Sequence, residues 1–209
     1  MSVPKKVVLH SYWRSSCSWR VRIALNLKGI DYEYKTVNLL QNEQFGDEYT
    51  SKLIPLLEID DNKLQQSMAI IEYLEETRVG GAQLLPSDAV QRAKCRQLAN
   101  MIACDIQPVQ NLRILRKVGP ENKKEWGNHW ITVGFEALER ALADTAGKYC
   151  FGDYVSIADI CLVPQVYNAR RFGVDMSKFP TIERIEAALS KLPAFERAHP
   201  SQQPDAVAQ

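Results

Sequence analysis

Ser15-Ser16-Cys17-Ser18-Trp19-Arg20-Val21-Arg22-Ile23-Ala24-Leu25 is the stretch on which the fold turns. Just before it, Val7-Val8-Leu9-His10-Ser11-Tyr12 reads as a short apolar strand. Just after it, apolar residues recur without Gly or Pro as far as Leu27, which spells a helix. The hydroxyls and the thiol therefore lie at a strand-to-helix turn, on the first residues of the helix. There the backbone N–H groups that lack an intrahelical partner, together with the positive end of the dipole, favour an anion. An anionic sulfur fits such a place, either that of Cys17 or a thiolate carried in by a ligand. A serine at a helix start also serves as a plain N-cap, worth about 1 kcal/mol. Two serines and a cysteine in a row, flanked by Arg14, Arg20 and Arg22, exceed what a cap needs.

Working outward, the first part alternates. Strands are expected at 7–12 and 32–38, with a helix at 17–28 between them that Gly29 ends. A strand–helix–strand of this length implies parallel pairing through a right-handed crossover. A polar segment, 41–52, has little periodicity. Pro55 then opens Leu56-Leu57-Glu58-Ile59, Asp60-Asp61-Asn62 supplies a turn, and Lys63-Leu64-Gln65-Gln66 forms a return strand. Ser67 is expected to cap the helix 68–76. The order is βαβ followed by ββα.

From Val79-Gly80-Gly81 to Pro86 the chain has linker character, and everything after it reads helical. One long helix starting at Ser87-Asp88 carries Leu98, Ile102, Val109 and Leu112 at helical spacing, with a kink at Pro108. Asp105 falls near that stripe and is expected to be a partly buried carboxylate satisfied by a neighbouring helix. A second long helix spans 123–145. Val155-Ser156-Ile157-Ala158-Asp159-Ile160 then spells a capping box, read as folding information rather than chemistry. Its helix runs to Arg170-Arg171 through Pro164. Shorter helices follow near 181–191 and 194–198, and the tail 200–209 is expected to fray.

Composition limits the function. Twenty-six Lys and Arg balance 25 Asp and Glu in 209 residues, for a net charge of +1. No basic stripe points to nucleic acid, and no apolar run points to a membrane span or a secretory leader. Five cysteines, odd in number, widely spaced and without CxxC, fit reduced thiols rather than a disulfide frame or a metal centre. Cys95, Cys104, Cys150 and Cys161 lie in or beside apolar helical patterns and are expected in the core. Cys17 is the exception, because a helix start favours its thiolate.

With these pieces in place, the chain resembles the zeta-class glutathione transferases, the maleylacetoacetate isomerases. The resemblance rests on Ser15–Leu25, Gln66–Glu76, Ile106–Leu112, Gly147–Asp153 and the tail Ala198–Asp205, and it covers nearly the whole chain. It implies an α/β plus all-α fold: a thioredoxin-like βαβ–ββα domain at 1–80, a linker at 81–87, and an all-helical domain at 88–209. It also implies a cytoplasmic homodimer that uses reduced glutathione as cofactor and a small dicarboxylate as substrate. The implied reaction is cis–trans isomerisation of maleylacetoacetate to fumarylacetoacetate in tyrosine and phenylalanine breakdown, with transferase activity on small α-halo acids beside it.

By the same resemblance Ser15 is the hydroxyl that serves the thiolate, supported by Ser16 and Cys17. Ser18, Trp19 and Arg20 complete the first cofactor-binding block. Ile54, ahead of a proline that matches the family's cis-Pro, pairs its backbone with the cysteinyl part of glutathione. Gln66 and Ser67 take the γ-glutamyl end, and Gln44 touches the tripeptide. Gln107, Asn111, Leu112 and Arg113 match positions that face the cleft, while Arg14 and Arg171 are the candidates for the substrate carboxylates. Guanidinium groups suit that task because they offer paired donors in one plane.

The segment Tyr49–Pro55 is shorter than the family pattern and lacks its Asn-Pro. That departure keeps a second reading open, a non-catalytic glutathione-fold binding protein with an impaired site. A third reading is a thiol oxidoreductase centred on Cys17.

Overall fold

A computed structural model of the chain describes residues 6–207, which divide into two compact units. One holds the described residues through Ala82 together with those from Pro193 on; the other is Gln83–Leu192.

The first unit is built on a four-stranded sheet. Its strands are β1 (Val8–Ser11), β2 (Glu33–Thr36), β3 (Leu56–Ile59) and β4 (Asn62–Gln65), in the order β2-β1-β3-β4. β1 pairs parallel with β2, and the other two pairings are antiparallel. Leu9 sits at the centre, opposite Tyr34 on one side and Leu57 on the other, and is fully buried. The β3–β4 hairpin turns on Asp60 and Asp61 with φ of 50° and 63°, a pair of left-handed residues suited to a two-residue loop. Helix α1 (Ser16–Leu27) buries Val21, Ile23, Ala24 and Leu25, and α2 (Ser67–Thr77) buries Ile70, Ile71 and Leu74. Gly29, at φ 66°, ends α1 in the left-handed region that glycine enters without strain. The two helices are tied by Lys28, whose Nζ meets Glu75 at 2.6 Å with both side chains buried.

Two expectations need correction in this unit. Ser67 is not the cap of α2. The chain leaves β4 through Gln66 at φ 72°, so the cap position falls one residue earlier and Ser67 becomes the first helical residue. The tail does not fray either. Helix α8 (Pro193–Ala198) packs on α1, a 3-10 turn spans Pro200–Gln202, and Asp205 is bonded to the sheet side of the unit. The expected second domain, 88–209, thus loses its last segment to the first unit. The cause is a pair of long-range bonds: Arg22 and Asn26 on α1 donate to the carbonyls of Ala198 and Ala194.

The second unit contains α3 (Ala89–Asn100), α4 (Leu112–Val118), α5 (Lys123–Leu142), α6 (Ile157–Arg171) and α7 (Pro180–Leu189). The expected long helix through Pro108 is broken into parts. Asp88 caps α3 by accepting from Gln91 N–H at 2.9 Å, but Met101–Ile106 forms a π-helical segment, closed by Gln107 N–H bonding Ile102 five residues back. Pro108 has no N–H for the α-ladder, and a 3-10 turn at Pro108–Gln110 follows. Gly134 on α5 accommodates this segment, since a Cβ there would come within 2.3 Å of Ile106 Cγ1. The wider π turn rotates the face, so Asp105 and Cys104 are exposed rather than buried, while Ile102 and Ile106 stay in the core. Cys95, Cys150 and Cys161 are buried as expected.

The capping box of α6 is present. Asp159 Oδ2 accepts from Ser156 N–H at 2.8 Å and from its hydroxyl at 2.7 Å, and Oδ1 accepts from Cys150 N–H at 2.9 Å. α6 is buried nearly all round.

Candidate functional site

The strand-to-helix turn is built as a hydrogen-bonded loop. Ser15 N–H donates to Tyr12 C=O at 2.9 Å, and Trp19 N–H donates to Ser15 C=O at 2.9 Å. Ser15 is the N-cap, with extended backbone, and its Oγ accepts from Ser18 N–H at 3.2 Å. A hydroxyl that accepts a cap bond keeps its O–H proton for donation to a second partner. No acidic residue stands in the first turn of α1. Ser15 and Cys17 are half-buried; Ser16, Ser18, Trp19 and Arg20 are buried. Arg14 lies beside the turn with its guanidinium 5.3 Å from the Trp13 ring centroid.

Arg20 links two helix starts. Its Nη1 donates to Ser67 Oγ at 3.3 Å, which ties the first turn of α1 to the first residue of α2. The side chain is 1% exposed, and its Nε and Nη2 have no hydrogen-bond partner among the described residues. Such buried donors demand an acceptor, and a carboxylate is the acceptor that suits a guanidinium. Gln44 Oε1 and Gln65 Nε2 are likewise buried without a partner. Gln66 is exposed at the left-handed position that opens α2.

The short segment before Pro55 is well packed. Tyr49 is buried and meets His10 Nδ1 at 2.9 Å, Ser51 N–H donates to Gln65 Oε1 at 3.1 Å, and Lys52 Nζ donates to the carbonyls of Phe45 and Gly46. The Ile54–Pro55 peptide is cis. Ile54 belongs to one apolar cluster with Tyr12, Trp13, Val37, Tyr49 and Leu56.

His10, Glu48 and Glu58 form the group of possible metal ligands among the described residues. Glu58 meets Nε2 at 2.8 Å, whereas Glu48 lies 4.0 Å from Nδ1, so the carboxylates approach opposite ring nitrogens. Each is also paired with a lysine, Lys63 or Lys35. Burial holds His10 below its usual 6.5 against the pull of Glu58.

In the second unit, Gln107 is buried and Asn111 caps α4 by accepting from Arg113 N–H at 3.2 Å. Leu112 is half-buried and Arg113 exposed on the first turn of α4. Gln110 Nε2 donates to Gln165 Oε1 at 3.0 Å, joining this segment to α6. Arg171 is exposed on the last turn of α6, with Nη1 3.4 Å from Asn168 Oδ1 and its guanidinium over the Phe172 ring.

Sequence reasoning missed the support behind the turn. Arg22, fully buried, donates to Ser11 Oγ and to the carbonyls of Tyr12, Trp13 and Ala198. Burial lowers its pKa to about 10, so it stays charged at neutral pH. An arginine in an otherwise apolar helix face was the available signal.

A parallel β1–β2 pair, a β3–β4 hairpin after a cis-proline, and two helix starts joined through Arg20 are the architecture of a glutathione transferase N-terminal domain. In agreement, the family model described as "Glutathione S-transferase, N-terminal domain" matches residues 9–81. Relatives match over nearly the full chain. "Probable maleylacetoacetate isomerase 2" of Drosophila melanogaster is 54% identical over 95% of this chain and 89% of its own. "Maleylacetoacetate isomerase" of Rattus norvegicus is 54% identical over 98% of this chain and 97% of its own. Among solved structures, the maleylacetoacetate isomerase from Anaeromyxobacter dehalogenans 2CP-1, with bound dicarboxyethyl glutathione and citrate in the active site, superposes with a TM-score of 0.89. It is 44% identical, with 97% of this chain and 98% of that one covered. The chain belongs to the maleylacetoacetate isomerase family, the zeta class of the glutathione transferases.

Proposed function

We propose that the protein is a glutathione-dependent isomerase that converts maleylacetoacetate to fumarylacetoacetate. The observation that carries this is the pair of helix starts, α1 and α2, joined by the Arg20–Ser67 bond. The residues present fit the tripeptide. Arg20 holds buried donors for a carboxylate, α2 opens on Ser67 beside the Arg20 guanidinium, and Gln44 offers a buried acceptor. When bound, glutathione supplies a thiolate that adds reversibly to the conjugated cis double bond, so that the bond turns single, rotates and reforms trans.

The chain's own residues do the rest. Ser15 donates its O–H to the sulfur and, with the N–H groups of the first turn, keeps it anionic. Ser16 and Cys17 support it, and Ser18, Trp19 and Arg20 complete the first cofactor-binding block. Ile54 pairs its backbone with the cysteinyl part, while Gln66 and Ser67 receive the γ-glutamyl end. Arg14 and Arg171 neutralise the substrate carboxylates, and Gln107, Asn111, Leu112 and Arg113 contribute polar and apolar contacts. Small α-halo acids would be a second substrate class for the same residues. The protein acts in the cytoplasm as a homodimer. No helix among the described residues is long and apolar enough to cross a membrane.

The non-catalytic alternative is not favoured, because the short segment before Pro55 packs with Gln44, Tyr49 and Ile54 all buried. The test is conversion of maleylacetoacetate by the purified protein with and without reduced glutathione. Turnover that depends on glutathione is expected; its absence at saturating glutathione would overturn the reading.

A further inference from the structure

We propose that Asp205 is a positioning residue, and that the segment 198–206 is a strap holding the turn that carries Ser15. The turn Tyr12–Ser15 is short, and its polar backbone groups need partners from elsewhere. Asp205 Oδ2 accepts from Trp13 N–H at 3.0 Å, and Oδ1 accepts from Tyr34 O–H at 2.7 Å. The opposite side of the turn is held by Arg22, with Nη2 3.0 Å from Trp13 C=O and Nη1 3.4 Å from Tyr12 C=O. Arg22 Nε continues to Ala198 C=O at 3.1 Å, so one guanidinium grips both the turn and the start of the strap.

The strap is itself braced. Gln203, buried, donates from Nε2 to the carbonyls of Arg197 and His199 at 2.9 Å each, and Ala206 packs on the cluster that contains Tyr12 and Trp13. The His199 ring stands edge-on to Trp19, one turn into α1, at 5.3 Å. Trp13 is thus held at both its N–H and its C=O, two residues ahead of Ser15. An oxygen that must meet a sulfur within hydrogen-bond distance tolerates little displacement. Asp205 reaches no reacting atom; its effect passes through Trp13.

The catalytic part of this inference rests on the isomerase reading, and the experiment separates the two. Backbone amide exchange of residues 12–19 is measured for the unliganded wild type, Asp205→Ala, Asp205→Asn and Tyr34→Phe, alongside kcat and KM for glutathione. Asp205→Ala is expected to raise exchange in 12–19 about tenfold, with the sheet unchanged, as for a local opening. Its kcat/KM should fall about 10- to 100-fold, the scale of a small misplacement of reacting groups. Asp205→Asn retains one oxygen and should lose about threefold, one hydrogen bond to a rotatable group. In the Tyr34→Phe background the same Asn should cost nothing further, because its one oxygen can then serve Trp13 alone.

Unchanged exchange in 12–19 would overturn the strap. So would an activity loss that only follows the folded fraction. Should Asp205→Ala not fold, the Asn and Phe variants decide on the same readouts. A wild type without turnover would refute the isomerase reading, and the exchange data would still decide the strap.

Discussion

Two helices in this chain begin with serine at the cap, and they do opposite things with it. At α1, Ser15 caps Ser18 N–H, the first turn carries no acid, and the cap residue is half-buried. At α6, Ser156 begins a helix whose first turn contains Asp159, and both residues are 0% exposed. There the carboxylate belongs to the chain. It consumes the hydroxyl and two N–H groups, one from Ser156 and one from Cys150. A helix start attracts negative charge in either case. Where the sequence provides the charge three residues on, the result is a closed folding element; where it does not, the charge must come from a ligand. The spacing Ser-x-x-Asp against Ser-Ser-Cys-Ser is the whole distinction in sequence.

The contrast predicts separable losses. Asp159→Ala removes three bonds at once from a buried place and should lower stability by about 3 kcal/mol, read from the denaturant midpoint. Glutathione affinity of the folded protein should not change; a selective loss of affinity would break the comparison. Ser15→Ala should lower isomerase kcat/KM about a hundredfold, the effect of losing one donor to a developing or stabilised anion. Its stability should drop by only about 1 kcal/mol, the value of a cap. Full turnover in Ser15→Ala combined with loss in Cys17→Ala would instead assign the chemistry to Cys17. Ser18→Asp copies the Ser156–Asp159 spacing onto α1 and should weaken glutathione binding about tenfold by supplying an internal anion, measured by calorimetry. Unaltered binding in a folded Ser18→Asp protein would show that the open charge of α1 is not what holds the cofactor.

The smallest effect is in pH. Burial raises the Asp159 pKa above the usual 3.8, despite the bonds to Cys150 and Ser156 that pull it down. A raised folded-state pKa means the native protein holds the proton better than the unfolded chain. Its contribution is present below pH 3.8 and declines as pH rises through the folded value. The stability gap between wild type and Asp159→Ala should therefore widen as pH is lowered from 7 toward 4, whereas that of Ser15→Ala should stay level. Parallel denaturation curves at the two pH values test this.

Periodicity and turn chemistry made most of the fold legible. The apolar run before Ser15, Gly29 at the helix end, the aspartates at the hairpin and the Ser156–Asp159 box all act over a few residues, and each was readable. What escaped was set by partners distant in sequence. The π segment depends on Pro108 removing a donor and on Gly134 making room, so Asp105 moved from an expected buried stripe to the surface. The tail looked polar and unstructured because the groups that bind it, Trp13 N–H, Tyr34 O–H and the Arg22 guanidinium, lie more than a hundred residues upstream. In the site, Ser15, Ser16 and Cys17 were marked by their helix start. Ile54, Gln66 and Arg171 were marked by resemblance, since a backbone contact and a guanidinium at a helix end carry no local pattern.

The return of the last segment to the first unit also has a consequence in time. A ribosome that has released Ala82 must add about 120 further residues before Asp205 emerges, which at typical rates takes roughly 6 to 25 s. During that interval the sheet can pair and α1 can form, yet Trp13 N–H waits for Asp205 and Arg22 Nε for the Ala198 carbonyl. The turn ahead of α1 is then only partly held, and is completed by residues made more than a hundred positions later.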